Sequence, residues 1–408
     1  MSAEHGGRAW LLAALSGRGL AKAAARAKRP ARGIDAYADR DTRGLSRDWA
    51  RVALTADGGL EAEALLEAAE RLAPAERCLG LVYGSGFESR PDLLARLARG
   101  RPLVGNAPEV LAQTGDPARF FPLLQRLGIP HPEISSTRPP RSFNWLSKLG
   151  GACGGTHILL ASATGHRAGG YFQRRVEGQA GSLLFLANGR DLRAIGCNRA
   201  LPAPAEAPSA WAYSGASRLA GGSAGCPEGL LDAARALTRS LGLVGLNGID
   251  FVVDGRDWWL LEVNPRPTAT LELWDVAPMP SLFRLHVQAC RGRLPATLPT
   301  PRGGLATAVV YSGETLRVPK GFFWPDWCSD IPEDGSVIAP GEPVCTVLAG
   351  GENPSVAAHW ATELRQSILR RLRRLQPAER PIPDDASASL SPHLPPCLPP
   401  LAGTPACV

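Results

Sequence analysis

The run at residues 248–268, GIDFVVDGRDWWLLEVNPRPT, constrains this chain more than any other stretch. Asp254-Gly255 reads as the tip of a β-hairpin, because glycine takes the positive φ that tight turns demand. The arms are apolar, with Phe251, Val252, Val253, Leu260, Leu261 and Val263. Set into them are Asp250, Glu262 and Asn264, and Arg266 follows just beyond. A buried carboxylate without a partner is costly, so such groups pair or bind a metal. Hard oxygen donors beside an arginine are the chemistry of a divalent cation and phosphate.

Side chains alternate along a strand, so Glu262 and Asn264 share one face. Asp250 joins them only in the right register. A two-residue Asp254-Gly255 turn would pair Val253 with Arg256 and send Asp250 to the other face. A three-residue loop, Asp254-Gly255-Arg256, pairs Val253 with Asp257 and gathers all three donors. Glycine-bearing loops of that length are common. The odd loop is therefore predicted, with Phe251, Val253, Trp259, Leu261 and Val263 as the core stripe.

A second signal lies about 100 residues earlier. Residues 143–160, FNWLSKLGGACGGTHILL, put Lys148 on a strand and follow it with Gly150, Gly151, Gly154 and Gly155. Glycines let backbone N–H groups approach phosphate oxygens, and the lysine supplies charge. G-x-x-x-x-G-K-[ST] is absent, and the lysine precedes the glycines, so neither a P-loop nor a kinase loop fits. A third stretch, YFQRRVEG at 171–178, carries Gln173, Arg174, Val176 and Glu177.

Ahead of these motifs, strands at 9–15, 34–37, 78–83 and 103–106 alternate with helices at 17–27, 60–72 and 91–99. That alternation predicts a parallel α/β layer. Its loops, Gly17-Arg18 and Gly84-Ser85-Gly86, fall at strand C-termini, where ligands of such sheets gather. No G-x-G-x-x-G follows the first strand, which excludes a nicotinamide fingerprint. The run at residues 9–15 is too short for a membrane span, which needs ~20 apolar residues.

The net charge is +7 over 408 residues. The basic clusters lack interleaved aromatics, so nucleic acid is not expected as a partner. Nine cysteines stand without a Cys-x-x-Cys pair, which predicts reduced thiols in a cytoplasmic protein. His286, among Phe283, Leu285 and Val287, reads as a packed helix residue. Residues 356–375 show an apolar stripe on a basic helix.

The ordered motifs resemble the ATP-grasp superfamily, and within it a group of predicted ATP-dependent carboligases seen in methanogens and methylotrophs. The resemblance implies an α/β (α+β) fold: a Rossmann-like domain over 1–115 and a two-lobed ATP-grasp domain over 116–292, with its lid at about 140–190. A small β module over 293–355, a basic amphipathic helix over 356–376 and a disordered Pro-rich tail over 377–408 would follow. ATP and magnesium, or manganese in its place, are the implied cofactors. Asp250, Glu262 and Asn264 would ligate the metal. Lys148, Gly151, Gly154 and Gly155 would hold the phosphates, and Gln173, Arg174, Val176 and Glu177 the adenosine. Arg266 and Lys148 would be catalytic.

The implied reaction joins a small-molecule carboxylate to an amine through an acyl phosphate. The carboligase group points to one-carbon cofactor synthesis of the methanopterin or methanofuran type, and a homodimer is one assembly the resemblance allows. Two alternatives stay open: a carboxylase-like ATPase, and a nucleotide-binding regulator without turnover. A biotin carrier is excluded, because Lys320 is the last lysine. One departure stands out. Where many members have Asp-Lys, this chain has Asp116-Pro117, and Arg119 is the nearest cation.

Overall fold

The computed structural model describes residues 7–46, 48–165 and 167–376. The expected tail at 377–408 lies outside them. Residues 9–13, AWLLA, are buried throughout as β1 (Ala9–Ala13). Unbroken apolar runs of this kind suit a parallel strand covered on both faces. The layer continues with α1 (Arg18–Arg26), β2 (Ala31–Asp35), α2 (Arg40–Leu45), β3 (Trp49–Arg51), α3 (Ala62–Leu72), β4 (Cys78–Tyr83) and α4 (Pro91–Leu97). Its sheet is parallel in the order β3-β2-β1-β4, as the alternation predicts. Strand β3 and helix α2 were not expected. The Trp49 ring lies flat against Gly33, where an added Cβ would fall 2.0 Å from it.

Helices α5 (Pro108–Gly115) and α6 (Pro117–Arg126) lead to a four-stranded lid. The lid comprises β5 (Ile134–Ser135), β6 (Trp145–Leu149), β7 (Leu159–Leu160) and β8 (Gly170–Arg174), in the order β5-β8-β6-β7. The main sheet then collects β9 (Gln179–Asn188), β10 (Leu192–Ala200), β11 (Gly215–Arg218), β12 (Val244–Asp254) and β13 (Asp257–Asn264). Helix α7 (Leu230–Leu241) precedes β12; α8 (Leu271–Trp274) and α9 (Leu282–Cys290) follow β13. The last stretch holds β14 (Gly304–Tyr311), β15 (Leu316–Arg317), β16 (Cys328–Ser329), β17 (Val337–Ile338), β18 (Pro343–Gly351) and α10 (Pro354–Arg374).

Three expectations are corrected here. The C-terminal β segment is not a separate sheet. Strand β14 pairs with β11, and the order β13-β12-β9-β10-β11-β14-β18-β16 makes one eight-stranded sheet. Ala306, Ala308 and Val310 of β14 pack with Val347, Ile368 and Leu372 in a core of their own, while pairing with β11 covers an edge that a free module would expose.

The hairpin loop is even, not odd. Asp254 pairs with Asp257 across Gly255-Arg256. An even turn alone would set Asp250 against Leu261. A β-bulge restores the register: Phe251 faces Leu260, yet Asp250 faces Glu262. One extra residue on a strand is enough to re-aim every side chain beyond it. The core stripe is accordingly Ile249, Phe251, Trp258, Leu260 and Val263, and Trp259 and Leu261 lose their predicted places.

The third correction concerns thiols. Cys197 and Cys226 form a disulfide, with Cα atoms 5.6 Å apart. Their 29-residue separation carries no motif, and only the fold of β10 against the segment before α7 brings them together.

Packing fuses the first layer to the main sheet. Trp10, Val82, Leu246, Trp274 and Phe283 share one core, and Trp10 meets Phe283 edge to face at 5.4 Å. Helices α6 and α7 cover the other face, packing Phe120, Phe121 and Leu237 in one core with Phe185 of β9. His286 is buried as expected. Its Nδ1 accepts the Leu246 N–H at 2.8 Å, so Nε2 carries the proton and donates to the Val104 carbonyl at 2.9 Å. No helix among the described residues is long and apolar enough to cross a membrane.

Candidate active site

The bulged hairpin delivers what its sequence promised. Asp250 and Glu262 face each other, and Asn264 lies on the same face. Asn264 Nδ2 donates to Asp250 Oδ2 at 3.0 Å and reaches Glu262 Oε1 at 3.5 Å. Its Oδ1 accepts from Arg266 Nη2 at 2.9 Å. Burial and the facing Glu262 carboxylate push the Asp250 carboxyl well above the usual range. Burial alone would raise Glu262 too, but Lys148 and the bond with Asp250 outweigh it and hold Glu262 below its ordinary value. Of the two, Asp250 is the one whose surroundings favour a proton.

Two facing carboxylates that cannot both ionise are a place where a cation can replace a proton. With the amide oxygen of Asn264 they make an all-oxygen donor set, which suits magnesium. The amide now turns its nitrogen to the carboxylates, and a cation would require its oxygen instead. No group of three or more His, Cys, Asp or Glu side chains that could hold a metal gathers among the described residues; the donors here are two carboxylates and one amide.

Lys148 comes from β6 in the lid and is 4% exposed. Its Nζ donates to Gln173 Oε1 at 3.3 Å, across the β6–β8 pairing. Burial would lower the ammonium, but Tyr171, Glu262 and Asp250 outweigh it and raise it. The lysine therefore stays charged. Gln173 is also buried, and its Nε2 has no hydrogen-bond partner. His157 Nδ1 is buried and unpartnered as well. Burial, then Lys148, pushes His157 down to about 4.

An orphaned polar group at a cleft marks a place for a ligand, and of these two only His157 lines the cleft. Counting the open solvent at its mouth, that cleft holds about 520 Å³ of empty space, of which about 50 Å³ admits the centre of a water-sized group. Lys148, Gly150, Gly151, His157, Glu262 and Asn264 supply its polar lining, and Phe120, Phe121 and Tyr171 close one side.

The other predicted residues fall elsewhere. Gly154 and Gly155 dock the lid onto residues 209–213: Tyr213 N donates to Gly154 O at 3.0 Å, and Ser209 Oγ to Gly155 O at 3.2 Å. Arg174, Val176 and Glu177 do not line the cleft. The Arg174 N–H is committed to Glu133 O at 2.8 Å, and its exposed side chain pairs with Glu133. Arg119 points to solvent and pairs with Asp116, which caps α6. It is therefore no cation of this cleft.

Glu88 belongs to the site and was missed. It accepts from Arg266 Nε and lines the cleft. The available signal was its place two residues beyond the Gly84-Ser85-Gly86 loop, at the C-terminal end of β4, where ligands of such sheets gather.

Residues 115–270 match the family model described as the ATP-grasp domain. Among curated proteins, a 97-residue stretch is 36% identical to the formate-dependent phosphoribosylglycinamide formyltransferase of Cupriavidus metallidurans, covering 21% of this chain and 24% of that protein. The chain thus spans about a quarter of the length of that relative. Two solved structures share the fold. The biotin carboxylase domain of 2-oxoglutarate carboxylase from Hydrogenobacter thermophilus, in complex with MgADP, ADP and bicarbonate, superposes with a TM-score of 0.64 at 11% identity, over 90% of this chain and 89% of that one. N5-carboxyaminoimidazole ribonucleotide synthetase from Thermus thermophilus gives 0.59 at 17% identity, over 90% and 99%.

Proposed function

Because this chain carries an ATP-grasp domain over residues 115–270, we propose that it is an ATP-dependent ligase joining a carboxylate to an amine, with release of ADP. The observation that carries the reading is the meeting of Asp250, Glu262 and Asn264 on one hairpin face, with Lys148 of the lid beside them.

ATP would occupy the cleft between lid and hairpin. Lys148 would hold the phosphate chain, and the Gly151 backbone would bring its N–H group to it. Magnesium held by Asp250, Glu262 and Asn264 would supply charge neutralisation on the phosphate oxygens. Arg266 would offset charge on the transferring group. A carboxylate oxygen of the substrate attacks the γ-phosphorus and the bond to ADP breaks. The amine then attacks the acyl carbon, phosphate leaves, and the amine proton passes to solvent. The carboxylate is itself the nucleophile, so no serine or cysteine is required.

Gln173 Nε2 and His157 Nδ1 are offered to the nucleotide as unpaired buried groups. Arg174, Val176 and Glu177 stand outside the cleft lining, so their contacts would be to an adenosine that extends beyond it. The finer reading, amide formation in one-carbon cofactor synthesis, rests on motif resemblance alone. A second reading has a specific observation behind it. One curated relative is named for formate, and one structural neighbour holds bicarbonate, so a carboxyphosphate-forming ATPase is tested beside the ligase.

The test is magnesium-dependent ADP release from the full chain, with formate, bicarbonate and pools of larger carboxylates, each with and without amines. ADP that needs one carboxylate and one amine is the expected result. ADP released with bicarbonate alone favours the second reading. Tight ATP binding with no release in any pool would reject both.

A further inference from the structure

We propose that Glu88 is a positioning residue for Arg266, fixing the guanidinium at the angle from which it meets the γ-phosphate. This rests on the ligase reading above. An arginine side chain is long and carries about 2 kcal/mol of rotamer entropy, so precise placement needs partners. Arg266 stands two residues beyond Asn264 and is 8% exposed. Its Nη2 donates to Asn264 Oδ1 at 2.9 Å and its Nη1 to the Pro267 carbonyl at 3.3 Å. Its Nε donates to Glu88 Oε1. With the Asn264 amide as it stands, three of the five guanidinium N–H groups are used; once its oxygen turns to a cation, two are, so at least two stay available for an anion in either case.

Glu88 is itself held. Its second oxygen, Oε2, accepts the backbone N–H of Gly86 at 2.7 Å and of Phe87 at 3.0 Å. A carboxylate tied to its own loop on one side cannot follow a wandering guanidinium on the other. Its backbone is equally confined. A Cβ added at Gly151 would come 2.8 Å from the Glu88 carbonyl oxygen, and one at Gly115 would come 2.9 Å from it. Glu88 therefore sits where the first layer, the end of α5 and the lid loop meet. Arg266 is aimed by a residue from a different layer of the protein, and the lid closes over that residue's own backbone.

Glu88→Gln separates positioning from mere packing. The amide has one acceptor oxygen, so it cannot serve both Arg266 Nε and the two backbone N–H groups. Four proteins are compared as full chains: wild type, Glu88→Gln, Arg266→Ala and the double variant. Affinities for MgATP and MgADP are measured by titration calorimetry, and turnover with formate and bicarbonate as carboxylate probes. Glu88→Gln should leave MgADP affinity within about twofold and reduce the ATP-over-ADP preference about tenfold. Its kcat should fall about 100-fold, and its KM for ATP should rise about tenfold in step with the lost ATP affinity.

The double variant should be no worse than Arg266→Ala, because two residues acting as one unit are not additive. Losses that multiply, or an unchanged ATP preference in Glu88→Gln, would overturn the proposal while the ligase reading stood. A wild type that neither prefers ATP nor releases ADP would overturn both. Should Glu88→Gln fail to fold, Glu88→Asp takes its place in the cycle with the same expectations.

Discussion

Asp250 and Glu262 are ordinary side chains placed where neither can be ordinary. Each is partly buried, each faces the other, and Lys148 favours the charge on Glu262. Glu262→Gln removes that charge from the donor set while keeping its shape. Turnover should fall by about 100-fold or more, while ATP binding weakens by about tenfold or less. ADP release and calorimetric ATP titration on the same preparation check both halves. Equal ATP hydrolysis by mutant and wild type with substrate present would mean the cation assignment is wrong.

His286 gives a prediction of stability at the same scale. Burial pushes it down to about 4, against 6.5 for a free imidazole. Between those values the unfolded chain binds a proton that the folded chain refuses. Its contribution is therefore fully present above pH 6.5 and lost as pH falls toward 4, by roughly 3 kcal/mol. The urea midpoint should drop from pH 7 to pH 5, and His286→Gln should flatten that drop.

The lid is the element whose geometry is most demanding. Gly154 and Gly155 both take positive φ, at 75° and 76°. Around Gly154 nothing lies within 4 Å of an added Cβ, whereas at Gly155 it would meet the Trp211 carbonyl oxygen at 1.8 Å. Alanine at either position costs about 1–2 kcal/mol of backbone strain. Only Gly155→Ala also blocks docking on residues 209–213. It should lower kcat/KM for ATP well below Gly154→Ala, with both variants melting near wild type. ADP-release kinetics and thermal melts check this, and equal kcat/KM in the two would argue against lid docking as the step that matters.

The hairpin teaches a different lesson at this scale. Its residues announced the site, because acids and an amide in apolar strands are legible by composition alone. The register was not legible. Whether Leu261 bulges depends on how Trp258 and Leu260 pack under α6 and α7, which is a tertiary matter.

Across the whole molecule, Arg18 joins three parts of the chain. It stands at the start of α1, 4% exposed, and pairs with Glu272 of α8 and with Asp330 beyond β16. Asp41 of α2 lies 3.6 Å from it and accepts the N–H groups of Asp330 and Ile331. Burial would lower the guanidinium, but Asp330 and Glu272 outweigh it and raise it, so it is charged throughout. Arg18→Ala leaves these carboxylates without their cation and should destabilise by about 3–5 kcal/mol. The denaturant midpoint measures it, and a shift under ~1 kcal/mol would show the junction to be water-compensated.

The sequence by itself determined the parallel first layer, the lysine–glycine lid and the acid–amide hairpin. These are local: strand burial, glycine spacing and polar residues in apolar runs leave their mark within a dozen positions. Tertiary structure alone decided the rest. Glu88 and Arg266 lie 178 residues apart, as partners across layers with no shared motif. The Cys197–Cys226 disulfide, and β14 joining β11 to extend one sheet, arise from the same cause. Each is a pairing of distant segments, set by how separately legible elements bury one another's surfaces, and no single stretch of chain carries that information.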